Sequence, residues 1–212
     1  MIGFRVVINN QRSTHMNRLL LILILTLSFQ TLTKADDIRD FQIEGISIGD
    51  SLFDHLTKKN FYEWEEYRFY YNNSKFVKTV CIYPSEQYDS VGCTYKEAKN
   101  GEHKIFGING TIKYKKNISE CFSKKDKIVN EFKSILKNTS INDQGTYEHD
   151  ADKTGESKQT VVDFNFSNGG YIRVVCNDWS KKFTTENGWI DELNVVISSK
   201  ELVSYINSDA NN

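Results

Sequence analysis

The sequence predicts an α+β domain: antiparallel sheet meanders with short helices packed on one face. Two observations support this prediction. Short segments of alternating apolar residues follow one another through turns, as the strands of an antiparallel sheet do. A long amphipathic segment divides these strands into two groups. The order of helix and then meander therefore occurs twice, which suggests two related halves.

The first half begins with an extended segment at 43–48, which alternates apolar and polar residues. Ser51 and Asp54 then form a capping-box pattern, which predicts the start of a short helix. Three strands are predicted from aromatic and β-branched residues, at 67–71, 76–83 and 91–96. The pair Asn109-Gly110, between two further apolar segments, predicts a hairpin turn.

The second half begins with the clearest helix, predicted over 119–137 from the spacing of its apolar residues. The polar segment 138–158 is predicted to be a loop. Three strands follow, each with one apolar face: Val162, Phe164 and Phe166; Ile172, Val174 and Cys176; Leu193, Val195 and Ile197. Ser198 and Glu201 form another capping box, which predicts a short terminal helix.

The N-terminal segment predicts export. The run from Leu19 to Phe29 is apolar and follows Arg18, and small residues stand at the −3 and −1 positions before Asp36. A membrane-spanning helix needs about 20 apolar residues, and this run is shorter. We therefore expect 1–35 to be a signal peptide with an upstream extension before Met16. Residues 36–212 then form one α+β domain, periplasmic or extracellular, with no membrane span after cleavage.

The charge balance argues against two classes of partner. Residues 1–35 hold four of the 27 basic side chains and none of the 28 acidic ones, so the remaining chain has a net charge of −5. A mildly acidic surface attracts neither nucleic acid nor an anionic membrane. We therefore expect the partner to be a protein or a component of the cell envelope.

All four cysteines lie in the predicted domain, and an even number in an exported chain indicates disulfides. Three pairings are formally possible. Cys81 and Cys93 lie on neighbouring predicted strands, whereas Cys121 begins a helix and Cys176 ends a strand. These positions favour the pairs 81–93 and 121–176. A metal site would need closely spaced ligands such as Cys-x-x-Cys, and the sequence has none.

Gly49-Asp50-Ser51-Leu52 matches the signature of the Gly-Asp-Ser-Leu hydrolases, in which the serine is the nucleophile. His55 lies four residues after Ser51, on the same face of the predicted helix. However, the sequence lacks that family's Asn-Asp oxyanion block and its C-terminal Asp-x-x-His pair, since no histidine follows His149. A serine at a helix N-terminus is explained more simply as a cap. A serine hydrolase using Ser51 is therefore the alternative interpretation.

Asp150, Asp152 and Glu156 begin a segment that is similar to a calcium-binding loop. Val161 stands where such a loop has its bidentate glutamate, and strands flank the segment instead of helices. A polar turn explains the same residues. The three carboxylates are thus only weak metal candidates, and the sequence indicates no cofactor.

Aromatic residues supply the candidates for a binding surface: Trp64, Tyr70, Trp179 and Trp189. Packing within the fold is the commoner role of such residues, but an exposed set would suit a protein partner. The sequence as a whole favours a non-catalytic binding or interaction module.

Three segments, 41–54, 152–157 and 174–179, together resemble a family of exported proteins of unknown function from small-genome marine bacteria. That resemblance implies export alone. The segment 45–49, followed by a short helix and a meander, is similar to small periplasmic modules of the outer-membrane-assembly lipoprotein and β-lactamase-inhibitor type. This second resemblance implies binding without catalysis, although the lipidated cysteine of the assembly lipoproteins is missing.

Overall fold

The structure, a computed structural model, describes residues 37–71, 75–97, 101–115 and 117–208. Five helices occur in these ranges: α1 (Leu52–His55), α2 (Lys58–Glu63), α3 (Ile118–Ile135), α4 (Lys181–Asn187) and α5 (Lys200–Ser208). Short 3-10 turns occupy Ile38–Asp40 and Glu65–Tyr67. No helix in the four ranges is long and apolar enough to cross a membrane. The predicted signal peptide lies outside the described residues.

In the described ranges, ten strands form two antiparallel sheets. The smaller sheet pairs β1 (Gln42–Ile43) with β2 (Ile46–Ser47). The main sheet contains eight strands: β3 (Phe69–Tyr70), β4 (Val77–Ile82), β5 (Ser90–Glu97), β6 (His103–Lys113), β7 (Thr139–Glu148), β8 (Lys158–Phe166), β9 (Tyr171–Asp178) and β10 (Glu192–Ser198). They lie in the order β3-β4-β5-β6-β10-β9-β8-β7. The predicted α+β class is confirmed.

Each half of the domain is a helical segment followed by a four-stranded meander. Helices α1 and α2 precede β3 to β6, and α3 precedes β7 to β10. The last strands of the two meanders, β6 and β10, pair at the centre of the main sheet, where Gly110 lies opposite Val195. The repeated order of helix and meander that the sequence suggests is therefore present in the fold.

One face of the main sheet packs against α3 and the N-terminal elements, and this layer is the main core. Side chains alternate between the faces of a strand, and the apolar set of the last three strands is buried here: Val162, Phe164, Phe166, Ile172, Val174, Cys176, Leu193, Val195 and Ile197. Phe132 of α3 packs edge-on against Phe164, with ring centroids 5.5 Å apart. The apolar faces predicted for these strands are confirmed.

Two disulfides join the elements that the sequence analysis paired. Cys81–Cys93 links β4 to β5, and Cys121–Cys176 links α3 to β9, with Cα atoms 5.9 and 6.0 Å apart. All four cysteines are buried. Disulfides form and persist in oxidising compartments, so both bonds fit an exported protein.

Helix α5 packs on the opposite face of the main sheet, whereas α1, α2 and α3 share the core face. Leu202 and Tyr205 of α5 meet Phe76 and Phe106 in a second, smaller apolar cluster. Gly107 allows this close approach, because a Cβ atom built on it would lie 2.6 Å from Cδ2 of Leu202.

The predicted hairpin at Asn109-Gly110 is wrong. Strand β6 runs through both residues without a turn, from His103 to Lys113. Gly110 has another role: a Cβ atom at this position would lie 2.5 Å from the ring of Tyr88. That ring packs against the core, and burial raises the pKa of Tyr88 to about 12.

The predicted loop at 138–158 is wrong over its first part, since Thr139–Glu148 forms edge strand β7. Most of this strand is exposed on both faces, so its sequence lacks the alternation that marks a half-buried strand. A bulge at Gln144 and a positive φ of 66° at Gly145 interrupt it further.

The two predicted capping boxes are wrong in detail. Ser51 is the N-cap of α1 by its backbone, but its side chain makes no capping hydrogen bond. At α5 the hydroxyl of Ser199, and not that of Ser198, accepts a hydrogen bond from the Leu202 N–H at 3.3 Å.

Candidate functional site

On the face of the main sheet opposite α3, helix α5 packs at one end and Trp179 lies at the other. We call this face the open face. Alternate residues of five strands point to this face. They are Lys78 and Val80 of β4, Ser90 and Gly92 of β5, Asn109 and Thr111 of β6, Glu192, Asn194 and Val196 of β10, and Arg173, Val175 and Asn177 of β9. The three atoms nearest to a Cβ built on Gly92 all belong to β4 or β6, and Thr111, Asn177 and Asn194 on the same face are buried.

A hydrogen-bond ladder crosses the open face from β6 to β9. The Asn109 amide donates to Asn194 Oδ1 at 3.1 Å and to Thr111 Oγ1 at 3.3 Å, and the Thr111 hydroxyl donates to Asn194 Oδ1 at 2.8 Å. The amides of Asn194 and Asn177 in turn donate to Glu192 Oε1 at 2.9 and 3.3 Å. The ladder fixes the orientation of each amide group.

This orientation leaves two amide oxygens without a donor. Oδ1 of Asn109 and Oδ1 of Asn177 are buried, and neither accepts a hydrogen bond from any described residue. Asn177 is only 7% exposed. A buried acceptor left unpaired costs about 1–3 kcal/mol.

Lys78 supplies a cation to the same face. Its Cε lies 3.5 Å from the position that a Cβ of Gly92 would occupy, so the side chain runs over Gly92 toward β6. Burial lowers the pKa of Lys78, and the charge of Glu192 only partly opposes that shift. Within the described ranges, no hydrogen bond or ion pair engages its ammonium group.

The second cation of the open face is already paired. Arg173 donates from Nε and from an Nη atom to both carboxylate oxygens of Asp163, at 2.7 and 2.9 Å. Gln144 donates to the same carboxylate at 2.6 Å. The bond to Asp163 raises the pKa of Arg173 further above its ordinary value. This pair therefore stiffens the face, and Lys78 carries the charge that remains available.

An aromatic cluster bounds the open face beyond Asn177. Trp179 stacks on Phe183 of α4 with ring centroids 5.0 Å apart, and Trp189 meets it edge-on at 4.7 Å. His149 also lies against Trp179, with ring centroids 4.2 Å apart. Trp179 is buried, whereas Trp189 is 47% exposed and presents part of its ring at the surface. The structure thus brings together two of the four predicted binding aromatics.

The other two predicted aromatics lie elsewhere. Trp64, after α2, is half-buried and packs against the main core. Tyr70, on edge strand β3, is exposed beside Phe69 and near the 3-10 turn that holds Tyr67. Neither residue contributes to the open face.

The metal candidates do not form a site in the structure. The Asp152 carboxylate accepts hydrogen bonds from Thr154 and Ser157, each through its backbone N–H and its hydroxyl, and from the Ser180 hydroxyl. These bonds hold the pKa of Asp152 well below its ordinary range. Asp150 and Glu156 are exposed, and no group of three metal-ligating side chains occurs in the part of the chain described. Asp152 instead fastens the β7–β8 loop to the start of α4.

Ser51 sits in a backbone bridge with Lys104 of β6. His55 lies nearby, but its Nε2 is 2.9 Å from Oδ2 of Asp50, and that carboxylate also accepts from the Ser47 N–H at 2.8 Å. Among the described residues no hydrogen bond joins Ser51 to His55. The residues of the hydrolase hypothesis therefore lie close together. His55 pairs with Asp50, and the Ser51 hydroxyl makes no hydrogen bond with a described residue.

Sequence reasoning missed the residues of the open face. The available signal was the second set of alternating positions: Asn109 and Thr111 alternate with Ile108 and Ile112 along β6. In an antiparallel strand such alternation marks one core-facing and one polar face, so it could have placed Asn109 and Thr111 together on the second face.

Neither family models, nor curated proteins, nor solved structures match this chain.

Proposed function

We propose that this chain is an exported, non-catalytic binding module whose partner, a protein or envelope component, docks on the open face. The observation that carries the proposal lies on the side of the main sheet opposite α3, where the ammonium group of Lys78 has no partner among the described residues and the ring of Trp189 is half-exposed at the border. A partner that docks here would offer a counter-charge to Lys78 and an apolar group to Trp189.

The two disulfides support the exported part of this proposal, because such bonds persist in oxidising compartments. The similarity of the 45–49 segment to small periplasmic binding modules supports the same class of function. The arrangement around Ser51 supports catalysis less well, since His55 is bonded to Asp50 and not to the serine.

Site-specific photo-cross-linking in the native envelope tests the proposal. A photo-reactive phenylalanine analogue replaces Val196, on the open face, or Lys127, on the exposed side of α3, as the matched control. We expect one reproducible cross-linked product from position 196 and none from position 127. Equal cross-linking from both positions, or none from either, would contradict docking on the open face.

The alternative, a serine hydrolase, has its own test. A fluorophosphonate probe labels an activated serine covalently, so the exported protein and its Ser51→Ala variant are incubated with the probe and compared. We expect no labelling of either protein. Labelling that disappears in Ser51→Ala would replace the binding-module proposal with the enzyme.

A further inference from the structure

A cavity lies at the end of the main sheet where α3 begins, and none of the open-face residues lines it. Its volume is about 630 Å³, within the range of about 300–1,000 Å³ that is usual for small-ligand pockets. Its lining comes from the segments after β4 and before β5, the end of β6, the first turn of α3 and the segment before β10. Both halves of the domain therefore contribute to the cavity, which is independent of the proposed docking on the open face.

Two tyrosines line this cavity. Tyr83, directly after β4, is 67% exposed. Tyr114, directly after β6, is half-buried and packs against the main core, and its backbone N–H donates to the carbonyl oxygen of Asp191 at 2.7 Å. The electron-rich face of an aromatic ring attracts weakly positive C–H groups, such as those of a sugar ring. Tyr83 therefore offers an exposed ring beside a ring that the core holds in place.

The charged residues of the lining balance each other in sign, since Lys113 and Lys115 are accompanied by Asp89 and Glu120. Asp89 Oδ2 accepts a hydrogen bond from the Lys113 backbone N–H at 2.6 Å, and Glu120 Oε1 accepts one from the Asn117 amide at 3.1 Å. In the described ranges, no ion pair joins a lysine of the lining to a carboxylate of the lining. The cavity therefore offers both cationic donors and anionic acceptors to a ligand.

This balance selects against a simply charged ligand. An anion would meet two carboxylates, and a cation would meet two ammonium groups. A hydroxyl group both donates and accepts hydrogen bonds, so a neutral polyhydroxylated molecule can satisfy lysines and carboxylates together. A zwitterion also matches the balance of charge, but it makes no use of the exposed ring of Tyr83.

We propose that this cavity binds a neutral oligosaccharide. One sugar ring packs against Tyr83, and its hydroxyl groups accept hydrogen bonds from the lysines and donate to Asp89 and Glu120. This ligand uses the aromatic and the polar parts of the lining at the same time.

An array that carries neutral, amino and uronic-acid oligosaccharides tests the proposal with the exported, disulfide-bonded protein. Calorimetry then measures the affinity for the neutral oligosaccharide that binds most strongly. Tyr83→Ala should weaken this binding about 3- to 10-fold through loss of the ring contact, and Tyr83→Phe should retain it. Tyr62→Ala is the matched control, because Tyr62 is 70% exposed and does not line the cavity; its affinity should equal that of the natural chain.

The dependence on salt distinguishes a neutral ligand from a charged or zwitterionic one. Raising the ionic strength from about 0.05 M to about 0.5 M screens exposed charges, so the affinity for a neutral oligosaccharide should change less than about 2-fold. Binding of no neutral oligosaccharide, or equal affinity of Tyr83→Ala and the natural chain, would overturn the proposal. A preference for charged oligosaccharides that salt abolishes would overturn the neutral class of ligand. Near-ultraviolet circular dichroism confirms that each variant is folded.

Discussion

The disulfide between α3 and β9 should contribute more to stability than the one between β4 and β5. Cys121 and Cys176 are 55 residues apart in sequence, whereas Cys81 and Cys93 are 12 apart. In the chain-entropy model a cross-link restricts the unfolded chain more when it closes a longer loop. The two loops correspond to about 4 and about 3 kcal/mol, a difference of about 1.3 kcal/mol.

Two double variants isolate this effect: Cys121→Ala with Cys176→Ala, and Cys81→Ala with Cys93→Ala. All four cysteines are almost fully buried, so the packing lost on truncation is similar in both variants and largely cancels from the comparison. Urea unfolding followed by the fluorescence of the three tryptophans gives the free energy of unfolding of each protein. We expect the 121–176 variant to be less stable than the 81–93 variant by about 1.3 kcal/mol.

The result that would refute this reasoning is an equal loss in both variants, or a larger loss in the 81–93 variant. Either result would show that loop length does not set the contribution of these bonds. Residual structure in the unfolded chain would then control the difference in stability, and it would change the slope of the unfolding free energy against urea concentration.

Two further predictions concern the two ends of the open face. Nδ1 of His149 accepts a hydrogen bond from the Ala151 N–H at 3.2 Å, and burial lowers the pKa of His149. The contribution of neutral His149 to the free energy of unfolding should therefore be complete above its pKa in the unfolded chain, about 6.5. It should fall as the pH drops from there through the lower pKa of the folded state. The melting temperature measured between pH 7.5 and 5 reports this loss. If the melting temperature of His149→Gln fell with pH as steeply as that of the natural chain, the prediction would be contradicted. At the other end, Gly107→Ala should cost about 1–3 kcal/mol by overpacking against Leu202. The cost should shrink in a Leu202→Ala background, and strict additivity in urea unfolding would contradict the clash.

Much of the main sheet could be predicted because its core-facing residues alternate. Val162, Phe164 and Phe166 mark β8 from the sequence alone, because a strand buried on one face must place apolar side chains at every second position. Strand β7 could not be predicted in this way. As an edge strand exposed on both faces, it contacts the core too little to require that pattern.

The Asn109-Gly110 pair shows why a strong local signal can mislead. In isolation the pair favours a tight turn because both residues tolerate positive φ. In the fold Gly110 is selected by the ring of Tyr88, which leaves no space for a Cβ. Tertiary packing thus explains the glycine, and only the three-dimensional arrangement reveals that partner.

The open face could not be predicted because its members come from both halves of the chain. Lys78 and Asn177 are distant in sequence, and only the pairing of β6 with β10 brings their strands into one sheet. By contrast, the aromatic candidates Trp179 and Trp189 were visible because they flank a single loop. Local sequence therefore indicated one border of the candidate site and none of its centre.

The central pairing of β6 with β10 also determines when the candidate site is complete. The bond between Asn109 and Asn194 joins residues 85 positions apart, and contacts of such sequence separation form late because they close long loops. A chain in which only the first meander has folded contains Lys78 and Asn109 but lacks Asn194 and Glu192 beside them. The complete open face therefore exists only after both meanders have joined, so the candidate site forms together with the finished sheet.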